Sequence, residues 1–145
     1  KNHSYDDGKG NKLSGHWVVP VGKNTYRSSI NHQLALKDSL RLQAAAIHVH
    51  PFATQIMLYN KTLDKPVFIS KITNHTKNIG LSKIENFTST AGIWLYANQE
   101  YEIVLEVNNT STENQDMMGS MFLFFYDREM DEILKDKKLI STTIK

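Results

Sequence analysis

Two histidines one residue apart, His48 and His50, lie in the apolar run 44–52. A β-strand sends alternate side chains to one face, so both imidazoles are expected on the same side, with Cα atoms roughly 6.5 Å apart. Imidazole nitrogens bind copper, zinc, iron and nickel. The pair therefore predicts a metal site but does not select the metal.

A third ligand is expected far along the chain, where Met117 and Met118 precede the apolar run 121–126. A thioether is a soft ligand that favours Cu(I) over zinc or magnesium. Two imidazoles and one thioether describe a site able to hold copper in both oxidation states.

The sequence offers other candidates for the third ligand. His16, His32 or His75 would complete a three-histidine site of the zinc type. Asp116 would instead complete a site of two histidines and one carboxylate, which suits non-haem iron. His3 is the third residue of the chain and would chelate Cu(II) adventitiously beside a free amino terminus. Bound copper by itself would therefore not identify the strand site.

The competing interpretation is an interaction module without metal, in which the histidines are ordinary packed residues and the methionines fill the core. Motifs for other chemistry are missing from the sequence: it has no Gly-x-Ser-x-Gly elbow, no phosphate-binding glycine loop and no His-Glu-x-x-His helix. Glu100, Glu102 and Glu106 alternate with apolar residues, which predicts a solvated strand face. No catalytic residue is assigned.

Composition narrows the class of protein. The 145 residues fit one domain, and 17 basic against 15 acidic residues, spread along the chain, do not favour nucleic acid as a partner. No run reaches the ~18 apolar residues of a membrane span. With no cysteine, the chain has no disulfide and no thiolate copper site. A chain that begins at Lys1 suggests a mature form after removal of a signal segment, so a secreted or periplasmic location is expected.

The elements that must position the histidines are strands. Short apolar runs separated by turn residues predict an all-β fold, an antiparallel two-sheet β-sandwich of jelly-roll type with a short C-terminal helix. The predicted strands are 15–20, 25–35, 40–50, 53–60, 66–73, 91–96, 100–108 and 118–127.

Three segments follow from this pattern. Residues 1–14 are polar and predict a flexible lead or linker, and residues 15–127 form the metal-binding β-sandwich. Residues 128–145 form the helix and its tail. Acids come first and bases last over 127–139, as the helix dipole prefers, and Met130, Ile133 and Leu134 mark a narrow apolar stripe.

Three segments also carry a family resemblance: residues 17–22, the His48–His50 motif, and residues 109–126, where Gln115 and Asp116 precede the methionines and an aromatic strand. Together they resemble the C-terminal domain of the copper monooxygenases, peptidylglycine α-hydroxylating monooxygenase and dopamine β-monooxygenase. The resemblance implies an antiparallel sandwich with one copper on His48, His50 and Met118, with Met117 one position off. In the family this copper binds and activates dioxygen.

The chain departs from that family in ways that shape the expectation. The family enzymes hold a second copper, on three histidines, in a separate N-terminal domain that supplies an electron, and this chain has no room for it. Family disulfides are absent, and the expected Pro-Pro-Gly reads Pro20-Val21-Gly22. We therefore expect a single-domain copper-binding relative. A monooxygenase reaction would need dioxygen and a separate redox partner domain or protein.

Overall fold

The computed structural model describes the backbone of residues 4–6 and 12–143, and the side chains of residues 15–136. Within these residues the chain is mostly antiparallel β-structure with a short helix at its C-terminal end, so the predicted fold class is confirmed. The strands are β1 Ser4–Asp6, β2 Lys12–Ser14, β3 Trp17–Val19, β4 Gly22–Ser29, β5 Leu40–Val49, β6 Ala53–Asn60, β7 Lys65–Asn74, β8 Leu81–Ile84, β9 Phe87–Leu95, β10 Tyr101–Asn109, β11 Gln115–Met117 and β12 Gly119–Phe125. The helices are α1 Asn31–Leu34 and α2 Arg128–Thr143.

Two layers enclose the core. The larger sheet has the order β4-β10-β6-β7-β8, and the opposite side is built from the sheet β12-β5-β9 and the pair β11-β3. Val49 of β5, Leu105 of β10 and Met117 of β11 are buried in one cluster, so the core lies between the layers. Burying a Val, Leu or Met side chain contributes about 1.5–3 kcal/mol, so this contact between the layers stabilises the fold.

The strand that carries the histidine pair has one inner and one outer face. Leu42, Ala45 and Val49 are buried, whereas Ala46 and His48 are exposed. The register shifts between Leu42 and Ala44, as expected for a β-bulge, and this resets the alternation. The histidines therefore lie on the outer side of β5.

The structure differs from the predicted strands at several places. The predicted strand 25–35 ends at Ser29 and gives way to α1, where the Asn31 side chain accepts the Tyr101 N–H and donates to the Gln99 carbonyl. The predicted strand 118–127 is preceded by a separate β11, and Met118 lies between the two strands. The lead 1–14 contains the hairpin β1–β2, with Tyr5 opposite Leu13.

The prediction of a solvated glutamate face on β10 is wrong for Glu102. This strand is central, between β4 and β6, and its residues from Tyr101 to Asn109 are buried or half-buried on both faces. Glu102 is 8% exposed, and its Oε1 accepts a hydrogen bond from Arg27 Nη1 at 2.5 Å. A buried carboxylate with a guanidinium partner is satisfied, which is why a charged residue is tolerated here.

The C-terminal helix begins where the sequence predicts. Asp127 caps it, since its Oδ1 accepts the Met130 N–H at 3.0 Å. Two ion pairs, Arg128–Glu132 and Lys135–Asp131, each join residues one helical turn apart on its surface. None of the helices in the described part of the chain has the length and apolar character to cross a bilayer.

Candidate metal centre

His50 follows the last residue of β5 and is fixed by its backbone on two sides. Its N–H donates to the Met118 carbonyl, and its own carbonyl accepts the Ala53 N–H, both at 3.3 Å. Phe52 in the same turn has φ 78°, in the left-handed region that disfavours bulky residues. The Asn74 side chain holds this turn, because its Oδ1 accepts the Phe52 N–H and its Nδ2 donates to the Ala53 carbonyl, both at 2.7 Å.

Three imidazoles meet around His50. The His48 and His50 ring centroids are 5.7 Å apart with planes at 80°, so the two side chains share one face, as the period of a strand predicts. His16, just before β3, places its ring 5.4 Å from that of His50. His50 is the least exposed of the three, with 26% of its side chain accessible.

Asp116 on β11 joins two of these rings. Its Oδ2 lies 3.1 Å from His16 Nδ1 and 3.0 Å from His50 Nδ1. Ligand atoms of His16, His50 and Asp116 all lie within 4.8 Å of one another, close enough to share one ion. When Nδ1 carries the ring proton, the carboxylate accepts a hydrogen bond from that N–H and leaves Nε2 of the same ring free to bind a metal.

Met118 lies where two strand pairs meet. β11 pairs with β3 up to Met117 opposite Trp17, and β12 pairs with β5 from Gly119 opposite Val49. Continuing both registers by one residue places Met118 between His16 and His50. Opposite residues of an antiparallel pair share a face. The register therefore puts the half-buried Met118 on the histidine side.

The neighbouring methionine has a different environment. Met117 is fully buried in the core cluster with Val19 and Val49. Adjacent residues of a strand point to opposite faces, so the Met117 side chain faces away from the histidines. Met117 therefore contributes to the packing of the sandwich.

The remaining histidines lie elsewhere in the fold. His32 is in α1, and His75 follows β7, where its N–H donates to the Gly80 carbonyl at 2.8 Å. His3 lies outside the described residues. Of the alternative ligands named from the sequence, His16 and Asp116 are thus the two that the fold brings to His50.

Comparisons of the chain with protein-family models, with curated proteins and with solved structures found no match.

Proposed function

We propose that this chain binds one copper ion through the imidazoles of His48 and His50 and the thioether of Met118. The observation that supports it best is the convergence at the end of β5: two rings 5.7 Å apart, beside a backbone hydrogen bond that joins His50 to Met118. Two nitrogen donors and one soft sulfur donor suit Cu(I) and also accept Cu(II). Zinc has no need of the thioether.

Asp116 acts in this proposal as an orienting group. Its carboxylate accepts a hydrogen bond from the Nδ1–H of His50, which fixes the ring and leaves Nε2 for copper. The same oxygen contacts His16, so this third ring is held beside the centre without being required as a ligand. A nearby negative charge also offsets the charge of the bound cation.

Copper at this position would supply one-electron redox chemistry and a place for dioxygen. A monooxygenase reaction then requires a separate electron donor, in a longer protein or a partner. The cysteine-free chain suits a secreted or periplasmic setting for such a site.

A second candidate is favoured by the Asp116 contacts themselves. His16, His50 and Asp116 form a set of two imidazoles and one carboxylate, which binds zinc or non-haem iron. This arrangement uses the carboxylate directly and makes no use of Met118 or His48. The two candidates therefore differ in which variants lose metal.

The deciding experiment is a Cu(I) titration in competition with a chromogenic chelator. The His3→Ala chain serves as parent, so that amino-terminal chelation does not contribute. Loss of an outer-shell partner typically costs 10–100-fold in metal affinity, so we expect His48→Ala and His50→Ala each to lose more than ~100-fold.

The matched control is His32→Ala, which removes an exposed imidazole on α1 and should leave the affinity unchanged. Unchanged Cu(I) affinity in folded His50→Ala would refute the copper site, and unchanged Zn(II) and Fe(II) affinity in the same variant would refute the carboxylate site. Unchanged affinity in His48→Ala, with loss in His16→Ala, would instead select the carboxylate site.

A further inference from the structure

The outer side of the three-stranded sheet is apolar where a sandwich usually presents polar residues to water. Phe122 and Phe124 on β12 are 64% and 55% exposed, and Trp94 on β9 is 50% exposed. Ala46 and Ala44 on β5 lie opposite the two phenylalanines in the register. We call these five residues the aromatic face. Contiguous exposed apolar surface of this kind marks an interaction site.

A second apolar surface lies on α2. Met130, Ile133 and Leu134, the apolar stripe, follow the i, i+3, i+4 spacing of one helix face. They are 52%, 49% and 52% exposed, so the chain's own sheet leaves about half of each side chain accessible.

The start of α2 is fixed at the end of β12. Tyr126 donates its N–H to the Arg41 carbonyl at 2.8 Å and its hydroxyl proton to Asp131 Oδ2 at 3.0 Å. One chain thus presents both an apolar helix and an apolar sheet face.

We propose that the chain forms a two-fold symmetric dimer in which α2 of each copy packs on the aromatic face of the other. A two-fold axis places the apolar stripe of each copy on the aromatic face of the other. Both surfaces are then covered, so the assembly closes as a dimer. The interface uses none of the proposed copper ligands, so the inference is independent of the metal.

The available area fits a weak dimer. Six side chains are about half exposed, three on the aromatic face and three in the apolar stripe. A large aromatic side chain buries 150–250 Å², so each of these six offers about 100 Å². Both copies together then bury about 1,200 Å², the lower end for a specific interface. We therefore expect association that depends on concentration, with a dissociation constant of about micromolar order.

The shape and charge of the aromatic face suit a helix as its binding partner. The alanines form a low strip along β5, and the strands on either side stand about 9.6 Å apart, close to the 10–12 Å diameter of a helix. Arg41 lies at one end of this strip, its guanidinium 5.8 Å from the Trp94 ring centroid. Glu129 and Asp136, seven residues apart, share one flank of α2 and would bring negative charge towards that end.

Sedimentation velocity over micromolar to near-millimolar concentrations tests the proposal. The parent chain should shift from monomer to dimer. Phe122→Ser with Phe124→Ser, and separately Ile133→Ser with Leu134→Ser, should each remain monomeric. Ile69→Ser is the control, because Ile69 is 46% exposed on β7 in the other sheet and should not affect dimerisation. Circular dichroism and thermal melts establish that each variant is folded.

Mixing the two double variants tests the helix-on-face geometry directly. The face variant keeps an intact stripe and the stripe variant keeps an intact face, so one of the two contacts can form. The mixture should therefore associate more strongly than either variant alone. A parent chain that stays monomeric, as it would if α2 closed on its own sheet, overturns the proposal. A stripe variant that dimerises as the parent does also overturns it, in favour of face-to-face packing.

Discussion

The backbone N–H of His50 donates to the carbonyl of Met118 across 3.3 Å, although 68 positions separate them along the chain. This bond ties the end of β5 to the junction between β11 and β12. This contact thus couples the position of the imidazole to that of the thioether. Variants at this junction should therefore affect metal binding in specific ways.

Replacing Met118 with Leu should weaken Cu(I) binding selectively. Leu and Met have similar volumes, so the free energy of unfolding should fall by less than about 1.5 kcal/mol. Zn(II) affinity should stay unchanged, since zinc makes no use of the thioether. Met57→Leu is the control, a half-buried methionine on β6 whose loss should not alter copper binding. Equal Cu(I) affinity in Met118→Leu and the parent would exclude the sulfur as a ligand.

Replacing Asp116 with Asn keeps the shape of the side chain and removes its charge. If Asp116 only orients His50, Cu(I) affinity should fall about 10–100-fold and His16→Ala should have a smaller effect. If Asp116 is a ligand, both variants should abolish binding. Asp38→Asn, at an exposed position, controls for the change in net charge. Isothermal titration with copper and with zinc distinguishes the two results.

Replacing Gly119 with Ala should disturb the residue next to Met118. A Cβ at this position would lie 2.9 Å from Leu105 Cδ2, closer than side chains normally approach. We expect a loss of about 1–3 kcal/mol in the free energy of unfolding, as for other overpacked sites, together with weaker Cu(I) binding. Urea unfolding gives the first quantity.

The combination of Gly119→Ala with Leu105→Val should recover part of this loss. Leu105 is buried, and shortening it opens space where the new methyl group would lie. A double-mutant cycle should therefore show a favourable coupling energy. Strictly additive effects would mean that Leu105 is not the cause of the strain.

The histidine pair and the fold class could be predicted from the sequence because both depend on local patterns. A spacing of two residues on an apolar strand fixes the common face of His48 and His50 without knowledge of the rest of the fold. The choice of Met118 over Met117 came instead from the family resemblance, and the structure buries Met117 in the core. The capped helix beginning at Arg128 is another local signal.

The contacts of His16 and Asp116 could not be derived in this way. They are 100 positions apart and meet because β3 pairs with β11 in one particular register. Nothing local specifies that register. The burial of Glu102 was missed for the same reason, since its partner Arg27 lies on a neighbouring strand. Long-range strand pairing thus determines how His16 and Asp116 join the site.

Replacing Asn74 with Ala should loosen the turn that follows His50. The Phe52 N–H and the Ala53 carbonyl would each lose a partner, at a cost of about 1–3 kcal/mol per buried group. We expect a lower midpoint of urea unfolding and Cu(I) affinity reduced less than in His50→Ala. Asn78→Ala, an exposed residue of the loop before β8, should change neither quantity. An Asn74→Ala chain as stable as the parent would show that the φ of Phe52 needs no clamp.

Tyr101 should make the fold sensitive to alkaline pH. Burial raises the pKa of its hydroxyl above the usual value, and the Tyr96 N–H donates to it at 2.8 Å. Because the folded-state pKa is the higher one, this stabilisation is complete below about pH 10 and is lost as the pH rises through the folded pKa.

Tyr101→Phe should cost about 1–3 kcal/mol at neutral pH, since the Tyr96 N–H loses its acceptor, and should show a shallower loss of stability above pH 10. Tyr59→Phe is the comparison, because Asp64 raises the pKa of that exposed hydroxyl through a hydrogen bond and not mainly through burial. Parallel stability curves for Tyr101→Phe and the parent, measured by urea unfolding from pH 7 to 11, would contradict a buried, neutral Tyr101.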